Sequence, residues 1–274
     1  MTREFDPSYV KVVTDLLTKG CYSMAFQPIV DTGTGEAYGF EALLRGPKGT
    51  PLENPDKFFN RKDHETDTFL SHVDMACIWS AVRSGKILPS YAKIFINIHG
   101  NTVPQFFRQI GAFIEYLEEL NIRPERIVIE ISERRCHKNA RTISRILKKL
   151  AGFGISLAID DVSIDSPLLN HMMWLEPGYL KLDRSFCVSM ENKMKKKDIV
   201  FKLSKMIGEL DIRLVAKGIE KNMELSSVHE LDIPLAQGFF IGRPLPAEDW
   251  SNKLRGSNYQ MVPVLQDKKH MLRH

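Results

Sequence analysis

Long apolar runs are missing from this chain. No stretch is long enough to span a bilayer. The opening residues, "MTREFDPSYVKVV", also lack the apolar core of a signal peptide. Cysteine is sparse. Cys21, Cys77, Cys136 and Cys187 lie far apart with no C-x-x-C pair, which excludes a zinc knuckle and a dithiol redox motif and fits a reducing compartment. A concentrated basic face is missing too. Net charge is only +4 over 274 residues, whereas nucleic-acid binders cluster their Lys and Arg. The densest basic run, Lys193 with Lys195, Lys196 and Lys197, reads as a solvated helix start. There is no internal repeat and no linker. These absences predict a cytoplasmic protein with neither a membrane nor a nucleic-acid polymer as partner.

What is present is an alternation of short apolar runs with amphipathic stretches. The runs are "MAFQPIV", "AYGFEALL", "KIFINI", "RIVIEIS", "ISLAID", "YLKLD", "RLVAKGI" and "LAQGFFIG". They are rich in Ile, Val, Phe and Tyr and mostly do not alternate, as strands covered on both faces do not. Between them, Phe106, Phe107, Ile110, Phe113, Ile114 and Leu117 recur at helical spacing, as do Leu203, Met206, Ile207 and Leu210. Strands alternating with helices predict an α/β fold, a closed (β/α)8 TIM-like barrel. "DTGTGE", residues 31 to 36, leaves no room for a helix. The first two strands therefore form a hairpin, and one barrel strand is antiparallel. The expected organisation is a lead helix over 1–20, the barrel over 21–250 and a basic tail over 251–274.

The strands carry polar residues that an apolar core would not tolerate alone. Glu41 lies inside "GFEALLRGP", with Arg45 four residues on. Burying a lone carboxylate costs several kcal/mol unless a metal, partner or ligand compensates it. Asn97, Glu130, Glu133, Asp160, Asp161, Lys181, Asp183, Lys217, Glu220 and Gln237 stand in or just after other strands. A polar strand end is usually only a turn or cap, but a set from separate strands of one barrel converges on a single mouth. Hard oxygen ligands suit magnesium, manganese or calcium. The pair Asp160–Asp161 could bridge two such ions. His99 reads as packing or hydrogen bonding, since no H-E-x-x-H is present.

These motifs resemble the EAL domain family of bacterial cyclic di-GMP phosphodiesterases. Glu41-Ala42-Leu43 spells the family's name, inside "FQPIVDTGTGEAYGFEALLRG". "FINIH", "IEISE", "LKLDRSF" and "AQGFFIGRPLP" are similar to its later motifs, and the match runs from about Phe26 to Pro246. The resemblance implies a (β/α)8 barrel with one reversed strand. It implies that Glu41, Asn97, Glu130 and Asp160 bind a first magnesium or manganese ion, and that Asp160 and Asp161 share a second. It makes Lys181 the residue orienting the attacking water. Gln27, Leu43 and Arg45 would hold cyclic di-GMP, with Arg45 on a phosphate, and Gln237 matches the glutamine of the closing strand.

Two departures fall on that chemistry. Where the family reads A-E-G-V-E, this chain reads Ala216-Lys217-Gly218-Ile219-Glu220. Lys217 replaces a ligand of the second metal. Two unit charges 4 Å apart interact by about 4 kcal/mol at an effective dielectric near 20, and a divalent ion facing an ammonium feels roughly twice that as repulsion. One metal site is expected and the second is not, unless Lys217 gives up its proton and acts as a neutral donor. The expected position of its ammonium is the second metal's place, beside Asp161 and near Asp160. The second departure is the loop. D-D-F-G-T-G-Y-S in the family is "DDVSIDSP" here, so Val162, Ser163 and Asp165 replace the aromatic and glycines. In the family this loop couples dimerisation to metal binding, so a homodimer is expected to be weakened. The implied function is binding of cyclic di-GMP, with hydrolysis lost or much reduced and a protein partner carrying the signal. A working magnesium- or manganese-dependent phosphodiesterase and a nucleotide-independent interaction scaffold are the alternatives.

Overall fold

The computed structural model describes residues 7–59, 68–132, 140–163, 175–184, 194–255 and 260–262. Its strands are β1 Ser23–Asp31, β2 Ala37–Arg45, β3 Lys93–Asn97, β4 Ile127–Ser132, β5 Ser156–Val162, β6 Tyr179–Leu182, β7 Arg213–Ala216 and β8 Leu235–Gln237. They close into one barrel in chain order. β1 runs antiparallel to both β2 and β8, and the other pairs are parallel. The described helices are α1 Pro7–Thr18, α2 Pro55–Phe59, α3 Thr68–Gly85, α4 Val103–Arg108, α5 Ile110–Glu119, α6 Ala140–Ala151, α7 Met194–Gly208, α8 Asn222–Glu230 and α9 Ala247–Leu254.

The hairpin that reverses β1 is locally determined. Asp31 Oδ1 accepts hydrogen bonds from the Gly33 and Thr34 amides, each 2.9 Å long, an Asx-turn geometry. Gly35 takes φ +72°, and a Cβ there would lie 2.3 Å from the Val262 carbonyl oxygen. Glycine is needed at that point on both counts. The chain closes back on β1 through Trp250, whose Nε1 donates to the Phe26 carbonyl at 2.6 Å.

The barrel interior is built in layers. Ile29, Phe95, Val128, Ala158, Tyr179, Val215 and Leu235 form an apolar floor separate from the outer core that the helices cover. Phe95 fits because Gly39 opposite has no side chain: a Cβ at 39 would stand 3.0 Å from the Phe95 ring. Side chains alternate faces along a strand, so residues two further on point into the same interior. Two positions beyond the floor residues come Asn97, Glu130, Asp160, Lys181, Lys217 and Gln237, and on reversed β1 the counterpart is Gln27. That second layer is the mouth.

Three details differ from the sequence reading. The apolar helix spacing across Phe106–Leu117 is two helices, broken at Gln109, whose φ −102° and ψ 10° leave the helical range. β7 stops at Ala216 and β8 at Gln237, short of "RLVAKGI" and "LAQGFFIG". The residues beyond bind each other as a crossed loop: the Ile219 amide donates to the Gln237 carbonyl and the Phe240 amide to the Ile219 carbonyl, both 3.0 Å. Glu133, Asp165, Cys136, Cys187 and Lys193 lie outside the described residues.

Candidate functional site

Glu41 is the hub of the mouth. It is 7% exposed. Its Oε1 accepts from Asn97 Nδ2 at 2.9 Å, and its Oε2 accepts from Lys181 Nζ and Gln237 Nε2, each at 2.7 Å. Burial disfavours its charge, but Lys181, Lys217 and these hydrogen bonds outweigh burial and bring its pKa down to about 2. Gln27, paired with Glu41 across β1 and β2, accepts from Gln237 at 3.2 Å and donates to the Gly242 carbonyl at 3.2 Å.

Lys181 is fully buried between two carboxylates, with Nζ 2.7 Å from Glu41 and 2.6 Å from Glu130. Burial opposes its charge, yet Glu130, Glu41 and Asp160 together raise its pKa. Glu130 behaves oppositely to Glu41. Burial, with help from Glu41 and Asp160, overcomes the pull of Lys181 and lifts its pKa to about 8. The Lys181 contact on Oε1 is a 2.6 Å ion pair, and the buried Oε2 has no hydrogen-bond partner.

Asp160 and Asp161 are neighbours and would normally face opposite sides of β5. Here the β5–β6 register slips between Ile159 and Val162, and Asp161 takes φ +58°. That bulge turns both carboxylates onto one ammonium. Lys217 Nζ lies 2.6 and 2.8 Å from the two oxygens of Asp160 and 2.8 Å from Asp161 Oδ1. Burial, and the like charge of Lys181, disfavour a protonated Lys217, but Asp160, Glu41 and Asp161 raise its pKa well beyond the ordinary lysine value. Without a metal, this balance favours the protonated form.

Two lobes open around these groups and share Glu41, Leu43 and Lys217. One, of about 520 Å³, runs past Asn97, His99, Ser132, Asp160 and Asp161. The other, of about 290 Å³, is bounded by Gln27, Gln237, Arg184, Glu220 and Phe239. Arg45 is exposed at the rim, outside both linings. Its Nη1 donates to the Leu44 carbonyl at 2.8 Å. Glu220 pairs with Arg184 at the edge of the second lobe. Val162 is fully buried and Ser163 half-buried. Arg184 and Phe239 escaped the sequence reading. The available signal was position: Arg184 follows directly on "LKLD", where a side chain reaches the rim.

The donor chemistry can be tested against the implied metals. Glu130, whose buried Oε2 has no partner, offers one hard oxygen donor beside Asn97, and an ion there would share Glu41 with Lys181 and Asp160 with Lys217. Among the described residues, no three His, Cys, Asp or Glu side chains converge closely enough to hold an ion as they stand. The second position does not fit, because Lys217 Nζ already sits on Asp160 and Asp161. No described helix is long and apolar enough to cross a membrane.

A closed barrel with a charged ring of acids, amides and lysines at one mouth is the layout on which barrel enzymes are built. Residues 11–244 match the EAL domain family, and the chain belongs to that family. It is 25% identical over 244 residues to the cyclic di-GMP phosphodiesterase NbdA of Pseudomonas aeruginosa, covering 88% of this chain and 31% of that protein. It spans less than half the length of the curated relatives it matches. In fold it is similar to the FimX EAL domain of Xanthomonas citri in complex with c-diGMP, with a TM-score of 0.76, 16% identity, and coverage of 87% of this chain and 94% of that one. It is also similar to BlrP1 of Klebsiella pneumoniae in a manganese and cy-diGMP complex, with a TM-score of 0.72, 24% identity, and coverage of 83% and 57%.

Proposed function

We propose that this chain is a cytoplasmic cyclic di-GMP receptor, with hydrolysis lost or much reduced. The observation that carries the reading is the seat of Lys217, whose ammonium lies within 2.8 Å of both Asp160 and Asp161. A fixed monovalent charge there offsets one of the two carboxylate charges and ties both aspartates in place. The mouth then stays assembled without a second ion, and the activation that two-metal hydrolysis needs is missing. Gln27, Leu43 and Gln237 hold the nucleotide from the floor of the cleft, and Arg45 swings from the rim to a phosphate. Glu41, Asn97, Glu130 and Asp160 would hold one magnesium or manganese ion, which would supply Lewis-acid polarisation of a phosphate oxygen. The relatives' names support the ligand: one is a cyclic di-GMP phosphodiesterase and two are solved with that nucleotide. Residues 21–250 form the binding unit. The altered loop at Val162, Ser163 and Asp165 weakens a homodimer, and the output passes to a protein partner.

A second reading, a slow phosphodiesterase giving the linear dinucleotide, is favoured by one observation. Glu130 keeps one buried oxygen without a partner beside Lys181, the residue that would orient a water. Titration calorimetry with cyclic di-GMP, run beside product chromatography in magnesium and in manganese, separates the two. Binding without linear product is the expected result. Rapid appearance of linear product overturns the receptor reading, and absence of binding overturns both.

A further inference from the structure

We infer that Arg184 is a ligand-binding arginine, placed across the cleft from Arg45, and that Glu220 holds it by an ion pair which a ligand phosphate replaces. The inference rests on the reading of cyclic di-GMP as ligand. That molecule carries two phosphodiesters on opposite sides of its ring, so two separated cationic groups suit it. Arg45 ends β2, and Arg184 follows β6. In a closed barrel of eight strands in chain order, those strands stand four apart, on opposite sides of the mouth.

Among the described lining residues of the two lobes, the cations are Lys217 and Arg184. Lys217 is committed to both aspartates. Arg184 is differently placed. Its guanidinium meets Glu220, and the two side chains are 48% and 41% exposed. An ion pair that open to water contributes little, so the Glu220 contact itself is readily exchanged for a phosphate. A guanidinium also grips a phosphate through paired, charge-assisted hydrogen bonds.

The position of Arg184 is built. Its stem lies over Gly218, where a Cβ would stand 2.8 Å from Arg184 Cγ and 3.0 Å from its Cβ and Cδ. Gly218 has φ +74°, so the missing side chain both permits the turn and leaves the groove in which Arg184 lies. Phe239 lines the same lobe at 51% exposure, with Arg243 stacked 4.5 Å from its ring centre. An exposed aromatic face beside a phosphate-binding arginine is what a nucleotide base and its phosphate require.

The test is calorimetric titration of cyclic di-GMP into the full chain and into Arg184→Gln, Arg184→Lys and Glu220→Gln. Ligand-free melting curves serve as the folding control. Arg184→Gln should lose about ten- to a hundredfold in affinity. Arg184→Lys, which keeps the stem over Gly218, should lose less. Glu220→Gln should bind at least as tightly as wild type, because it removes the competitor. A purely structural pair would make the Arg184 and Glu220 variants fail together, and that parallel loss overturns the inference. Unchanged affinity in Arg184→Gln overturns it as well, while leaving the receptor reading intact. A wild type that does not bind removes both.

Discussion

Lys217 and Asp160 form a two-oxygen ion pair across the barrel mouth, 2.6 and 2.8 Å long, between residues from strands that are not neighbours. β6 lies between them. The pair fastens the end of β7 to the end of β5, and Asp161 joins through the bulge. Removing the ammonium would leave adjacent carboxylates facing Glu41 and Glu130 with Lys181 as their remaining central cation.

Lys217→Met should therefore destabilise the ligand-free protein. Breaking a buried ion pair by deleting one partner costs about 3–5 kcal/mol, and the partial exposure of this pair argues for the lower end. Millimolar magnesium should restore much of the loss, because a cation can then take the vacated position. Urea titrations with chelator and with magnesium check this. Equal stability of variant and wild type in chelator would show that the pair holds nothing together.

Glu130 predicts a pH dependence. Its pKa is raised to about 8 by burial, whereas an unfolded glutamate titrates near the ordinary value of about 4.3. Between those values the folded state binds the extra proton, so stability falls as pH rises through that window and levels off above it. Glu41, lowered to about 2, contributes stability that is lost only as the solution becomes strongly acidic. In metal-free buffer, the urea midpoint of wild type should decline from pH 5 to 8. Glu130→Gln, which cannot ionise, should give a flatter profile. An equally steep decline in the variant would assign the effect elsewhere.

Gly238→Ala should disturb the mouth from below. A Cβ there would stand 2.1 Å from the Ile219 carbonyl oxygen and 2.2 Å from its nitrogen. Those are backbone atoms and cannot rotate away. Ile219 in turn anchors the loop that carries Lys217, through the hydrogen bond its amide donates to the Gln237 carbonyl. The expected cost is about 1–3 kcal/mol, the range for overpacking. Melting curves and cyclic di-GMP titration should both register it.

Much of the mouth was legible from polar residues standing in or just after apolar strands. Asn97 follows Phe95, Glu130 follows Val128, Lys181 follows Tyr179 and Gln237 follows Leu235, each by two residues, so each polar group lies one layer above an apolar floor residue. The hairpin was legible because "DTGTGE" is a glycine turn too short to hold a helix, and Asp31 and Gly35 form that turn. What spacing cannot give is a local break in the period. Asp160 and Asp161 share a side only because the bulge and positive φ at Asp161 interrupt the alternation. The pairing of Arg184 with Glu220 depends on the missing side chain at Gly218, a contact between segments far apart in sequence. The break at Gln109 leaves no mark in the apolar spacing, which runs on across both helices.

Arg45→Ala tests the opposite rim. Its side chain is exposed and tied to the Leu44 carbonyl at 2.8 Å, so its removal should leave the fold intact. Loss of a charge-assisted hydrogen bond to phosphate costs about 1.5–3 kcal/mol, roughly ten- to a hundredfold in affinity. A folded variant that binds cyclic di-GMP as wild type does would remove Arg45 from the ligand set.

Lys217→Glu is the substitution that separates receptor from enzyme. It replaces an ammonium by the carboxylate that the family pattern carries at this position. Without metal, Asp160, Asp161 and the new glutamate would repel, so the variant should melt earlier than wild type in chelator. With magnesium or manganese the same three carboxylates can gather an ion, and the stability gained on adding metal should exceed that of wild type. Linear dinucleotide should then appear faster than in wild type, unless the replaced residues after Asp161 also block turnover. The metal-induced shift in melting is read independently of activity, so a silent enzyme does not mask a restored site. The decisive comparison is direction. Hydrolysis that is brisk in wild type and slower in Lys217→Glu would mean that Lys217 itself serves the reaction, and the receptor reading would fall.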